Sequence, residues 1–301
     1  MALLESVPNV SEGRDLGVIA AVGQAFAAKA HVLDVHSDAD HHRSVYTLVA
    51  DERDLVEALL LGIASAAELV DLRVHDGIHP RIGAADVVPL VPLRADGMEA
   101  ALRAARTLGE RVGGELGLPV FLYGASANGL RPAFFRRGGP AELQRRIDAG
   151  ELRPDFGPAR LDPAAGGLLI GARPLLIAFN VELAAGGLAD AQAIAAAIRA
   201  SSGGLPGVQA LGLLLPGTGR VQVSVNVIDV EATALVDVVR CIKEVAAERD
   251  VEVGASELVG LLPESAVADP LLLGLAELPD DRVLERRLGL EGLDLSGKHV
   301  S

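Results

Sequence analysis

Twice along this chain the hydrophobic pattern switches between the two-residue period of a strand and the 3.6-residue period of a helix, both times in the same order. The first pass has a strand at residues 2–7 and an Ala-rich helix opening at Ser11-Glu12-Gly13 and running to about Lys29. Strands at 31–35 and 44–49 follow, then a helix over 51–70 with Leu55, Leu59, Ile63 and Ala67 on one face, and a strand at 84–91. The second pass has a strand at 174–183, a helix at 188–200, and strands at 208–215 and 220–227 around the turn Pro216-Gly217-Thr218-Gly219. A helix at 231–248 and a strand at 251–255 close it. Each pass is β-α-β-β-α-β, the split βαβ or ferredoxin-like unit. The expected fold class is therefore α/β (α+β): two ferredoxin-like βαββαβ subdomains, 1–173 and 174–301, each a sheet with helices on one face, forming a cleft. After the first pass come a helix at about 94–113, a strand at 119–123, and a Gly/Pro/Arg-rich connector, 124–173, with little strand or helix signal. A connector that long is more often functional than idle, and a cleft crossed by it is the expected binding site.

The core must be built from Ala, Leu and Val, because the chain holds six Phe, two Tyr and no Trp. No apolar run reaches the length of a membrane span, and the start Met-Ala-Leu-Leu-Glu lacks the basic and apolar blocks of a signal peptide. Cys241 is the only cysteine, which excludes an intrachain disulfide; a cytoplasmic, reducing compartment is expected. A net charge of −14 argues against a nucleic-acid binder. Positive charge is concentrated in the connector, where residues 131–173 hold eight arginines against five acidic residues. Solvated arginines and a pocket for an anionic small molecule are both open at this point, since guanidinium matches carboxylate geometry.

Chemistry-bearing residues are densest in His75-Asp76-Gly77-Ile78-His79-Pro80-Arg81-Ile82-Gly83-Ala84-Ala85-Asp86. Two imidazoles, a guanidinium and two carboxylates are framed there by Gly77, Pro80 and Gly83, and an apolar strand follows directly. Such a segment is a backbone-dictated loop at a strand mouth. It serves either as a tight turn in which His79 caps backbone and Arg81 pairs with Asp86, or as a catalytic loop. His31, Asp34, His36, Asp38, Asp40, His41 and His42 lack the ligand offsets of a metal site, so no metal is expected. His36, His42 and Arg43 flank two neighbouring strands and are expected to face the His79 loop. The small-residue run Asp162-Pro163-Ala164-Ala165-Gly166-Gly167 would let a flat ligand approach the backbone, but it is neither GxGxxG nor a phosphate loop.

Taken together, these pieces resemble the formiminotransferase family. The resemblance rests on Ser6-Val7-Pro8-Asn9-Val10-Ser11-Glu12-Gly13, Arg43-Ser44-Val45-Tyr46-Thr47, His79-Pro80-Arg81-Ile82-Gly83-Ala84 and Pro154-Asp155-Phe156-Gly157-Pro158. It continues through Gly171-Ala172-Arg173, Ala178-Phe179-Asn180, Gln222-Val223-Ser224-Val225-Asn226 and Glu257-Leu258-Val259-Gly260-Leu261. It implies two α/β subdomains and transfer of a formimino group from N-formimino-L-glutamate to N5 of tetrahydrofolate, within one-carbon metabolism and histidine catabolism. His79 matches the family's catalytic histidine. Gly157, Pro158, Ala159, Arg160, Leu161, Asp162, Pro163, Ala164, Ala165 and Gly166 match its folate-binding segment. Arg43, Arg81, His36 and His42 complete the expected binding set, tetrahydrofolate enters as a substrate, and no metal is needed. An imidazole with an ordinary pKa of about 6.5 can take and return the proton that N5 loses.

The chain departs from that pattern in three places. The family commonly has Glu where Ile78 stands and Asn where His42 stands, and the two-function animal enzyme has an acidic residue where this chain has His36. The chain ends at Ser301, so the cyclodeaminase domain fused on in animals is not expected. Alternatives left open are a different one-carbon donor such as N-formylglutamate, a folate-binding protein without turnover, and an acidic α/β domain with merely solvated loops. The expected partners are the small-molecule substrates, with neither nucleic acid nor membrane; a homodimer is left open.

Overall fold

The computed structural model describes residues 3–94, 96–293 and 295. It divides into two compact units, one running to Arg173 and the other starting at Pro174. In the first unit, β1 (Leu3–Ser6) and β2 (Asn9–Val10) follow end to end as one strand broken at Val7-Pro8. Then come α1 (Leu16–Ala27), β3 (His31–Asp38), β4 (Arg43–Asp51), α2 (Glu52–Leu69) and β5 (Ala85–Pro92). β1 lies antiparallel between β4 and β5, and β3 pairs with the outer side of β4. Reading β1 and β2 as one strand, this is the fourth-first-third-second order of a ferredoxin-like sheet.

Helix starts follow their capping residues. Asp51 caps α2 by accepting from the Arg53 and Asp54 backbone N–H groups at 3.0 and 3.1 Å, and Glu52 and Asp54 suit the positive end of the helix dipole. Asp15 caps α1 through the Gly17 and Val18 N–H groups. The expected opening at Ser11 is therefore too early. The Ser11 hydroxyl is buried and donates to the Gly83 carbonyl at 2.7 Å, and Glu12 receives the Arg14 and Asp15 N–H groups. Ser11–Gly13 is a loop tied to the mouth of β5.

The connector departs most from expectation. It holds α4 (Pro132–Arg136), α5 (Gly139–Asp148) and β7 (Leu168–Ala172). After α3 (Met98–Arg111), strand β6 (Val120–Leu122) runs parallel to β7, which in turn runs parallel to β5, so two parallel strands extend the sheet. Every residue of β7 is buried, and a strand buried on both faces has no alternation to betray it. Nor are the helices confined to one face of this sheet. Val120, Leu122, Leu168 and Ile170 pack with α1, α2 and α3, whereas Phe121 and Leu169 point the other way, onto Phe135 of α4 and Leu143 and Ile147 of α5.

β3 also runs further than its apolar pattern. It reaches Asp38, with His36 opposite Val45 and the Ser37 and Ser44 hydroxyls 2.9 Å apart, because hairpin hydrogen bonding carries the strand through polar residues.

The second unit comprises β8 (Ile177–Leu183), α6 (Leu188–Ile198), β9 (Val208–Leu214), β10 (Val221–Val227), α7 (Leu235–Ala247) and β11 (Val253–Val259). Its sheet order, β11-β8-β10-β9, is the same fourth-first-third-second arrangement, and all neighbours are antiparallel. Phe179, Val181, Val223 and Val225 alternate inward against α6 and α7. Among the described residues no helix is long and apolar enough to cross a membrane.

Candidate active site

A bulge in β5 sets the polar centre of the first unit. Asn9 pairs with Val87 and Val10 with Ala85, which leaves Asp86 as the extra residue. Bulges re-aim side chains. Here the Asp86 carboxylate is fully buried; its Oδ1 accepts the Ile82 N–H at 2.8 Å, and its Oδ2 accepts Arg43 Nη1 at 2.8 Å. Arg136, the last residue of α4, donates Nη2 to the same oxygen. Burial alone would raise the Asp86 carboxyl; Arg136 and Arg43 override it and hold the group at about 2. Arg43 is itself brought down to about 10 by burial, against the pull of Asp86, and its Nε donates to Asn9 Oδ1 at 3.0 Å.

The turn pairing of Arg81 with Asp86 is not formed by hydrogen bond. Arg81 Nη2 donates instead to the Gly77 carbonyl, closing the loop on itself. The loop rests on the β3–β4 turn. His75 stacks on His42 with ring centroids 4.0 Å apart, His75 Nε2 lies 3.0 Å from the His42 carbonyl, and the Ile78 N–H donates to Asp40 O at 3.3 Å. His42 Nε2 also lies 3.0 Å from Glu12 Oε1.

His79 sits at a cavity of about 490 Å³ whose wall includes His75, Ile78, Arg81, Arg136 and the Gly138-Gly139-Pro140 start of α5. Its Nδ1 is buried without a hydrogen-bond partner. Burial first, then the charges of Arg43 and Arg136, depress the imidazole to about 2. An ordinary histidine pKa is therefore not what this site provides. The ring is held neutral, and neutral imidazole is the form able to accept a proton. His75 is lowered to about 4, by burial and then by Arg81 and His42.

The other expected site residues are placed as follows. Arg81 lines the cavity, and Arg43 stands behind it through Asp86. His42 touches the cavity wall by stacking on His75, whereas His36, on β3 opposite Val45, is not among the lining residues. None of Gly157, Pro158, Ala159, Arg160, Leu161, Asp162, Pro163, Ala164, Ala165 or Gly166 lines the cavity either. Residues 157–160 and Asp162 and Pro163 are exposed, and the later part is fastened to the His79 strand mouth. Asp162 Oδ1 accepts the Ala164 and Ala165 N–H groups at 2.8 and 2.7 Å, while Ala84 N donates to Ala165 O and Gly167 N to Ile82 O. A Cβ on Gly83 would come within 2.0 Å of Gly167 O, and one on Gly166 within 2.1 Å of Ile82 O. These small residues serve backbone-to-backbone contact first.

Arg136 is the principal residue that sequence reasoning missed. The general excess of arginine in the connector was visible, but its partner Asp86 lies 50 positions away. The following Gly138-Gly139-Pro140 was a break signal that could have drawn attention to it.

Family models match both halves of the chain: the formiminotransferase domain, N-terminal subdomain, over residues 3–173, and the formiminotransferase domain over 178–271. A protein named glutamate formimidoyltransferase from Thermoplasma acidophilum is 40% identical over 96% of this chain and 98% of its own length. One of the same name from Streptococcus pyogenes is 37% identical, over 89% and 91% respectively. The porcine formimidoyltransferase-cyclodeaminase is 37% identical over 97% of this chain, which spans 57% of that longer protein. Matched across both units by the family models and over nearly its whole length by these relatives, the chain belongs to the formiminotransferase family.

Proposed function

We infer that this protein transfers a formimino group from N-formimino-L-glutamate to N5 of tetrahydrofolate, releasing L-glutamate and 5-formiminotetrahydrofolate. The observation that carries the reading is the neutral His79, its Nδ1 buried and unpartnered at the wall of a cavity that also bears Arg81 and Arg136. N5 attacks the formimino carbon, and His79 takes the proton that N5 loses as the new C–N bond forms. The same proton then goes to the glutamate nitrogen as the old C–N bond breaks. Stabilising the imidazolium for that interval falls to Asp86, a carboxylate whose charge acts on the ring, and to whatever carboxylate the substrates bring.

Arg43 and Arg81 supply the positive field, His42 braces the loop through His75, and His36 is assigned to the periphery of substrate binding. The segment Gly157–Gly166 is assigned to folate, with its exposed residues 157–160 as the accessible part. Tetrahydrofolate is a co-substrate in this scheme, the reaction calls for no metal, and a cytoplasmic setting fits it. Residues 1–173 and 174–301 are the two subdomains. Ile78, an apolar residue beside His79, favours testing one other donor, N-formylglutamate. The test is turnover of purified protein with tetrahydrofolate, with each donor offered separately.

A further inference from the structure

Arg136, in the wall of the His79 cavity, carries a second unpartnered nitrogen. Arg136 Nε is buried and makes no hydrogen bond, although the same guanidinium is anchored through Nη2 to Asp86. A buried N–H left without an acceptor is costly, more so on a charged group. Local charge is unbalanced in the same direction. Arg43 and Arg136 converge on the one carboxylate of Asp86, and Arg81 adds a further positive charge at the wall. Asp76, the other carboxylate acting on Arg81, is already paired with Arg14 at 2.6 Å. Gly138, Gly139 and Pro140, which also line the wall, bring no side-chain acceptor. Among the described residues no aromatic ring other than imidazole lines the cavity, so charge outweighs stacking there.

Resting on the reading of this cavity as the place of formimino transfer, we propose that Arg136 is the residue that recognises the donor's carboxylate. Its Nε–H donates to a carboxylate oxygen of a glutaryl-length dicarboxylate, while Asp86 holds the rest of the guanidinium in place. The recognised class is a short dicarboxylic acid. A carboxylate docked there also faces His79, so donor binding and base strength are coupled through one group.

The test is calorimetric titration of the full-length protein with glutarate and with glutaramide, its uncharged diamide. Wild type is expected to bind glutarate at least roughly tenfold more tightly than glutaramide, and Arg136→Gln to weaken glutarate roughly 10- to 100-fold, as for loss of one charge-assisted hydrogen bond. Arg136→Lys keeps the charge near Asp86 but lacks Nε, and is expected to weaken glutarate severalfold; it decides the matter if the Gln variant does not fold. Arg131→Gln, at an exposed position of the same connector, is the control and should bind as wild type does. In turnover, Arg136→Gln should raise the donor KM, and because Arg136 also depresses His79 the acidic limb of kcat/KM should move upward. Equal glutarate affinity in wild type and Arg136→Lys, or failure of wild type to discriminate glutarate from glutaramide, overturns the proposal. If glutarate binding depends on Arg136 yet no formimino group reaches tetrahydrofolate, the anion site stands and the assigned reaction falls.

Discussion

The His79 imidazole is depressed by burial first and then by the charges of Arg43 and Arg136, and the role proposed for it makes a direct prediction. His79→Ala should lower kcat by roughly 10²- to 10⁴-fold, with tetrahydrofolate affinity within a few-fold of wild type, as measured by steady-state kinetics and titration. Its depressed pKa also affects stability. The unfolded chain binds a proton at His79 below about 6.5, whereas the folded chain does so only near 2. Stability is thus full above the unfolded value and is lost as pH falls through the window between the two, at roughly 1.4 kcal/mol per pH unit for this one proton. Denaturant unfolding at neutral and mildly acid pH should show a shallower loss in His79→Asn than in wild type. Ile78→Glu would set a carboxylate beside the ring, stabilise imidazolium and raise the pKa. The acidic limb of kcat/KM should move upward in that variant; an unmoved limb would mean that residue 78 does not act on His79.

At the scale of elements, the site is built by a bulge and a backbone clasp. Asp86 faces two arginines only because it is the extra residue of β5. Asp86→Ala would leave the buried Arg43 and the half-buried Arg136 without their carboxylate, and should cost about 3–5 kcal/mol in chemical denaturation. The clasp between Ile82–Ala84 and Ala164–Gly167 is equally intolerant. Gly166 has φ +73° and no room for a Cβ against Ile82 O, so Gly166→Ala should lower Tm measurably, and any loss of folate affinity should accompany that drop. Little of this was legible in the sequence. Gly77, Pro80 and Gly83 announced an irregular loop, but neither the bulge nor the partners of Asp86, 43 and 50 positions distant, leave a local pattern. β7 was hidden because a five-residue strand buried on both faces reads as an unmarked apolar run.

At the scale of the molecule, the duplication was legible, because each βαββαβ unit repeats a local alternation of periods. Leu55, Leu59 and Ile63 of α2 are each fully buried, as their spacing requires. What the periodicity could not carry was the parallel extension by β6 and β7, and the second layer of α4 and α5 that delivers Arg136 to Asp86. The connector between the repeats is the part of the first unit that turns a common sheet into a site.

The central claim is formimino transfer to folate through His79. Purified protein should be mixed with tetrahydrofolate and offered N-formimino-L-glutamate or N-formylglutamate in parallel, with the folate product followed by absorbance and glutamate release measured in the same samples. The account predicts 5-formiminotetrahydrofolate and an equal amount of L-glutamate from the formimino donor, with the rate in His79→Ala reduced by roughly a hundredfold or more. A folate product formed only from the formyl donor, or a His79→Ala rate above half of wild type, would contradict it.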